Sequence, residues 1–126
     1  MRLLLLAAVG GALGAGTRHL VNVAMLAWLG STFPWATFTI NIVGSLLMGV
    51  VFETLMPFSG PSAVAWRTFL ATGILGGFTT FSAFSLDIWV LHDRGQYLAL
   101  MLYVTLSVLL AVGGLLLGMA LVRGFR

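Results

Sequence analysis

Apolar residues dominate the chain in four long runs, which short polar or turn-forming segments separate. The runs cover residues 3–29, 35–55, 63–91 and 97–122. Each is as long as the roughly 20 residues that a helix needs to cross a bilayer. The separators read GSTFPW, MPFSGPS and HDRGQ, in which proline and glycine favour turns over helix. The pattern therefore predicts an all-α membrane protein, with four transmembrane helices forming a single domain over residues 1–126.

Composition supports this class and removes one alternative. The first residues, MRLLLLAAVGGALGAG, imitate a secretory signal with a basic start, an apolar stretch and small residues. The remaining chain is just as apolar, however, and only 7% of all residues are charged, against roughly 25% in soluble domains. Cleavage would leave no soluble product, so we interpret the stretch as the first spanning helix of a multi-pass protein of the cell membrane.

The placement of charge and the absence of cysteine and of catalytic motifs reduce the number of possible functions further. All six basic residues are arginines, the net charge is +3, and the charged residues lie mainly near the ends of the apolar runs. This placement indicates topology signals and contact with anionic membrane lipid, and no nucleic-acid partner is expected. The chain has no cysteine, which excludes disulfides and thiolate metal sites. No nucleophile with a base, phosphate loop or carboxylate pair is evident, so we do not expect an enzyme.

Small residues recur at four-residue spacing and predict close helix packing in lipid. Most of these pairs are expected to pack within one subunit, although a bundle of four helices usually needs a second copy to enclose a pathway. The pairs are Gly10 and Gly14, Ser45 and Gly49, Gly73 and Gly77, and Gly114 and Gly118.

A few polar residues lie inside the apolar runs. Asn41 is near the middle of the second run, where its amide either bonds a neighbouring helix or donates to a pathway. Arg18 lies towards the far end of the first helix, and either extends to the interface or attracts anions into a wet vestibule. Glu53 and Asp87 are close enough to run ends that we expect water to solvate both.

The third run contains TGILGGFTTFSAFS, which is unusual for a lipid-facing helix. Gly76 and Gly77 weaken a helix, and the β-branched residues that follow do not repair it. Non-helical backbone at membrane depth persists only where protein buries it or where it lines a cavity. Its freed carbonyls are suitable ligands for a hard cation. Beyond the glycines, Phe81 and Phe84 lie near one helical face, and phenyl ring edges carry the partial positive charge that attracts an anion.

These motifs together resemble the Fluc (CrcB) family of fluoride channels. TGILGGFTTFSAFS is similar to the third-helix signature of that family, and TFTINIVGS is similar to its second-helix asparagine motif. GALGAGTR resembles the glycine-rich run of the first helix, and Tyr103 with Ser107, one turn apart, fits the fourth helix. The likeness covers nearly the whole chain.

The resemblance implies an antiparallel, dual-topology homodimer with two fluoride pathways along the interface between subunits. Fluoride would leave the cytoplasm passively, which limits its toxicity. Asn41 would donate to the ion and Arg18 would lie by the vestibule. The other pathway residues implied are Thr80, Phe81, Phe84, Tyr103 and Ser107. Relatives often carry a further serine one turn after Ser107, where this chain has Ala111.

The resemblance also implies a metal ion and leaves rival functions to be tested. Backbone carbonyls of Gly76 and Thr79 from both copies would hold one central sodium ion, which is structural and is not transported. One rival is a small dimeric multidrug-type exporter, but that class needs an acidic residue in the first helix, and this chain has none there. The other rival is a non-transporting membrane assembly subunit, which would not need Asn41 or the break.

Overall fold

The computed structural model describes residues 1–126, all as helices and short connections without strands. Four helical spans are long and apolar enough to cross a membrane, as the hydrophobic pattern predicts. Their ends lie within two residues of the predicted bounds. The third span is composite, consisting of α3, a π-helical segment, α4 and α5. The elements are α1 Arg2–Leu29, α2 Trp35–Leu55, α3 Pro61–Arg67, the π-helical segment Thr68–Leu75, α4 Gly76–Phe78, α5 Phe81–Asp93 and α6 Tyr97–Gly124.

The third span breaks at Thr79 and Thr80, just beyond the glycine pair. Thr79 has φ −75° and ψ 159°, and Thr80 has φ −155° and ψ 121°, so both residues are extended. Gly76 stays helical, with φ −64° and ψ −35°. The sequence correctly predicts a break in this helix, and the expected stretch from Gly76 to Thr79 overlaps the observed break at Thr79. Of the two glycines, Gly77 allows the close approach of α1, whereas Gly76 is exposed and a Cβ added to it would not contact that helix.

Glycines allow α1 to lie directly against the third span. A Cβ added to Gly10 would come 2.6 Å from the carbonyl oxygen of Phe69. A Cβ on Gly77 would come 2.5 Å from the carbonyl oxygen of Gly11, and one on Gly14 would clash with the backbone of Ile74. Side chains at these positions would push the helices apart, so the small residues pack within the subunit as expected.

Helices α2 and α6 form the second closely packed pair. A Cβ added to Gly49 would clash with the backbone of Leu115, and one added to Gly118 would clash with Leu46. At one end of the pair Glu53 is 4% exposed, which corrects the expectation that water solvates it. Its Oε2 accepts a hydrogen bond from Arg123 at 3.0 Å, and Oε1 lies 3.7 Å from Arg126. The C-terminal arginines therefore replace water around the carboxylate.

The bundle has a small buried core and a broad apolar surface. Only 16 of 126 residues are buried, which leaves most apolar side chains to face lipid or another chain. Ile40, Leu91 and Tyr103 are the largest fully buried side chains. Tyr103 packs with Phe84 and Leu91, so the core of the bundle lies immediately beside the break in the third span.

A donor-lined groove at the break in the third spanning helix

The side chain of Asn41 replaces the hydrogen bonds that the break removes from Thr80. Its Nδ2 donates to the carbonyl of Thr80 at 3.0 Å, and its Oδ1 accepts from the amide of Thr80 at 2.9 Å. In a continuous helix that amide would donate to the carbonyl of Gly76 instead. Asn41 thus stabilises the break by satisfying both backbone hydrogen-bonding groups of Thr80. The second hydrogen of its Nδ2 is not used in these bonds.

The two threonines of the break have different roles. Thr80 Oγ1 caps α5 by accepting from the amide of Ala83 at 3.2 Å, as N-terminal threonines commonly do. The Ala83 amide is the group that would bond the carbonyl of Thr79 in an unbroken helix. That carbonyl now accepts from Arg18 Nη1 at 3.4 Å, a long hydrogen bond. The break therefore leaves the carbonyl of Thr79 to a positively charged side chain and that of Thr80 to a neutral amide.

A groove of about 370 Å³ lies along the break between α2, α5 and α6. Asn41, Thr80 and Ser107 supply polar groups to its wall, and no acidic residue lines it. Apolar side chains cover most of the remaining wall, including Ala111 one turn after Ser107. The arrangement combines a few hydrogen-bond donors with an apolar, carboxylate-free surrounding.

Ser107 is the clearest unfilled donor in this groove. The residue is 5% exposed, and its Oγ has no hydrogen-bond partner in the chain. A buried hydroxyl without a partner costs about 1–3 kcal/mol, so such groups usually serve a ligand, a water or a partner chain. One turn earlier, Tyr103 is 0% exposed and its ring lies 5.2 Å from that of Phe84.

The two phenylalanines of the predicted pathway differ in their surroundings. Phe84 is 8% exposed and packs against Tyr103, whereas Phe81 is 78% exposed. Their ring centroids are 5.6 Å apart, and both rings line the groove. Phe84 is thus fixed by its own subunit. Phe81 projects from the subunit surface at membrane depth, where lipid or another chain must cover it.

Asp87 is a functional candidate that the sequence interpretation placed in solvent. Its Oδ2 accepts a hydrogen bond from the hydroxyl of Tyr103 at 2.9 Å, inside the bundle. Asp87 also lines a depression of about 410 Å³ together with His19, Thr37 and Arg94. The carboxylate therefore lies between this open depression and the aromatic core beside the groove. The three-residue spacing from Phe84 to Asp87, on one helical face, is the signal that identifies it.

Most of the residues singled out from the sequence meet at this place. The groove brings together Asn41, Thr79, Thr80, Phe81, Phe84 and Ser107. Tyr103 lies behind Phe84, and Arg18 reaches the break from α1 through the carbonyl of Thr79. Gly76 is exposed one turn before the break.

The fold and the groove define a small multi-pass membrane protein whose broken helix borders a carboxylate-free, donor-lined groove. Residues 5–119 match the family described as CrcB-like protein, Camphor Resistance (CrcB). The chain belongs to this family.

Curated relatives extend the comparison over nearly the whole chain. A protein of Erythrobacter litoralis named "Fluoride-specific ion channel FluC" is 52% identical, covering 94% of this chain and 90% of the relative. A protein of the same name from Rhodospirillum centenum is 47% identical over 98% of this chain and 97% of its own length. "Fluoride-specific ion channel FluC 2" of Nitrobacter hamburgensis is 51% identical over 94% of this chain and 95% of the relative.

Proposed function

We propose that this chain forms a fluoride-specific ion channel that lets fluoride leave the cytoplasm passively. The observation that carries the proposal is the donor-lined groove without a carboxylate, in which the buried Ser107 hydroxyl has no partner. The names of the curated relatives support the choice of ion. No energy coupling is needed, because fluoride moves down its own gradient.

The chemistry of the wall suits a small, strongly hydrated anion. Fluoride leaves water only where close donors replace its hydration shell. Asn41 retains one amide hydrogen after bonding Thr80, and Ser107 has a free hydroxyl. The ring edges of Phe81 and Phe84 add partial positive charge. Larger halides gain less from these donors, because they fit a narrow track poorly.

The channel is a homodimer of two antiparallel copies, each contributing to the enclosure of the pathway. Several polar or small residues of the third span are exposed at membrane depth, where lipid offers no hydrogen bonds. A second copy would cover them and the ring of Phe81. The residues of this uncovered face are Thr72, Gly76, Phe81, Ser82 and Ser85.

One structural sodium ion, held by both copies, fits the oxygens that the break releases. The helical donors to the carbonyls of Gly76 and Thr79 are redirected to Asn41 and Thr80 Oγ1, which leaves the Thr79 carbonyl with only the long 3.4 Å hydrogen bond from Arg18 and a second lone pair for a cation. Carbonyl oxygens suit a hard cation, and two per chain would give four in a dimer. A bound sodium ion supplies fixed positive charge that offsets the negative charge of fluoride in the low-dielectric membrane.

Fluoride efflux from liposomes tests the channel directly. Purified protein should release fluoride passively and chloride far more slowly, because chloride gains less from the same donors. An Ala111→Ser variant provides an informative comparison, since it adds a hydroxyl to the groove one turn after Ser107 and should not reduce fluoride flux. Equal fluoride and chloride fluxes would exclude a fluoride-specific channel.

Topology is tested separately with a cysteine at Gln96, in the loop before α6. Arginine counts favour one orientation, because Arg2, Arg67, Arg123 and Arg126 lie on the same side of a four-helix chain. Two antiparallel copies instead predict partial labelling from outside intact cells, completed after permeabilisation. Complete protection or complete labelling in intact cells would indicate one orientation and would exclude the antiparallel dimer.

A further inference from the structure

A second groove lies away from the break, at the end of the bundle where α1 and α3 begin. Its volume is about 310 Å³, and it shares no lining residue with the groove at the break. Arg2 and Ser62 are the polar members of its wall, and the remaining wall is largely apolar. The lining residues are Arg2, Leu6, Ser62, Ala65, Trp66 and Phe69.

Arg2 differs from every other arginine of the chain in its hydrogen bonding. The other five guanidinium groups each donate to a carbonyl or a carboxylate. Both ion pairs of the chain belong to Glu53, which Arg2 does not contact. Arg2 is therefore the one guanidinium whose donors are not used by the protein. The five bonded arginines are Arg18, Arg67, Arg94, Arg123 and Arg126.

The same groove is lined by this unused charge, by the hydroxyl of Ser62 and by apolar side chains. Trp66 is 56% exposed, and its ring packs edge-on against Phe69 with centroids 6.4 Å apart. Tryptophan is favoured at the level of lipid headgroups, because its ring has one apolar and one polar part. The groove thus combines a cation and a hydroxyl, which suit a phosphodiester, with an amphipathic ring and apolar side chains, which suit the start of an acyl chain.

We propose that this groove binds one anionic phospholipid. The Arg2 guanidinium and the Ser62 hydroxyl hold the phosphodiester, because arginine binds phosphate through paired N–H donors and serine adds one O–H donor. The acyl chain lies over Leu6, Trp66 and Phe69. A zwitterionic lipid binds less well, since its headgroup cation is repelled by Arg2 and cancels the net charge that attracts the lipid.

Native mass spectrometry of the intact protein in detergent tests the headgroup preference. Phosphatidylglycerol and phosphatidylcholine with identical acyl chains would be titrated into chains that carry only a C-terminal tag. We expect phosphatidylglycerol to bind more tightly, and Arg2→Gln to weaken it about fivefold, as for one arginine near an anionic surface. Arg2→Lys should retain most of the preference, and Arg94→Gln should leave it unchanged, because Arg94 lies outside the groove.

Quenching of Trp66 by brominated lipid tests the position. In a variant with phenylalanine at the other three tryptophans, brominated phosphatidylglycerol should quench Trp66 more than brominated phosphatidylcholine does. A variant retaining only Trp28, which is 84% exposed, should show no such difference. If these tryptophan variants fail to fold, the lipid titration by native mass spectrometry is sufficient to test the proposal. Equal binding of both lipids to wild type and to Arg2→Gln would overturn the proposal. Loss of the dimer in Arg2→Gln would overturn it too, since the groove would then be a subunit contact.

Discussion

Replacement of Asn41 by aspartate changes both functions of this side chain at once. The carboxylate can still accept from the amide of Thr80, but it loses the donation to the Thr80 carbonyl, which spans 3.0 Å. A buried carbonyl left without a donor costs about 1–3 kcal/mol. A fixed negative charge about 5 Å from a fluoride ion raises its energy by about 3 kcal/mol at an effective dielectric constant of about 20. A barrier raised by that amount slows passage by roughly 150-fold.

The assay for Asn41→Asp is fluoride efflux from liposomes at matched protein density, with the dimer checked by size-exclusion chromatography. The matched control is Gln96→Glu, the same amide-to-carboxylate change at the N-terminus of α6 and outside the groove at the break, with its folding checked by thermal unfolding. We expect the control to conduct normally and Asn41→Asp to conduct at least about 150-fold more slowly than wild type. A stable Asn41→Asp dimer with wild-type flux would refute both the donor role of Asn41 and the expected repulsion between a carboxylate at this position and fluoride.

Three further predictions follow from the packing and the break. Phe81→Ile and Phe84→Ile should each lower fluoride flux, because isoleucine keeps bulk without a polar ring edge. Only Phe84→Ile should also lower thermal stability, since Phe84 is 8% exposed and Phe81 is 78% exposed. Normal fluoride flux in both variants would show that the two rings serve packing alone. Gly14→Ala should destabilise the protein by about 1–3 kcal/mol through overpacking, whereas Gly16→Ala meets no neighbouring atom and should be neutral in thermal unfolding. Fluoride flux should cease when sodium is thoroughly replaced by potassium or lithium, and unchanged flux would exclude the sodium site.

The sequence predicts the four spans well because length and apolarity alone define them in lipid. The position of the break is less predictable, because helix propensity is a weak local signal, about 1 kcal/mol for a glycine. The hydrogen bonds that hold the break open come from Asn41, which lies 39 residues away from Thr80. Burial of Glu53 depends likewise on Arg123, which is 70 residues away. Such pairings are properties of the tertiary fold, and no local pattern contains them.

The break presents unpaired acceptors and unpaired donors within a few residues, so the proposed anion pathway and the proposed cation site can be neighbours. Redirection of the Thr80 amide to Asn41 releases a carbonyl on the α4 side, and the Thr80 cap on Ala83 releases the carbonyl of Thr79. These oxygens are acceptors and suit a cation. The neighbouring groups without partners, Asn41 Nδ2 and Ser107 Oγ, are donors and suit an anion. A single interruption of one helix therefore produces both environments, provided that the asparagine holds it open.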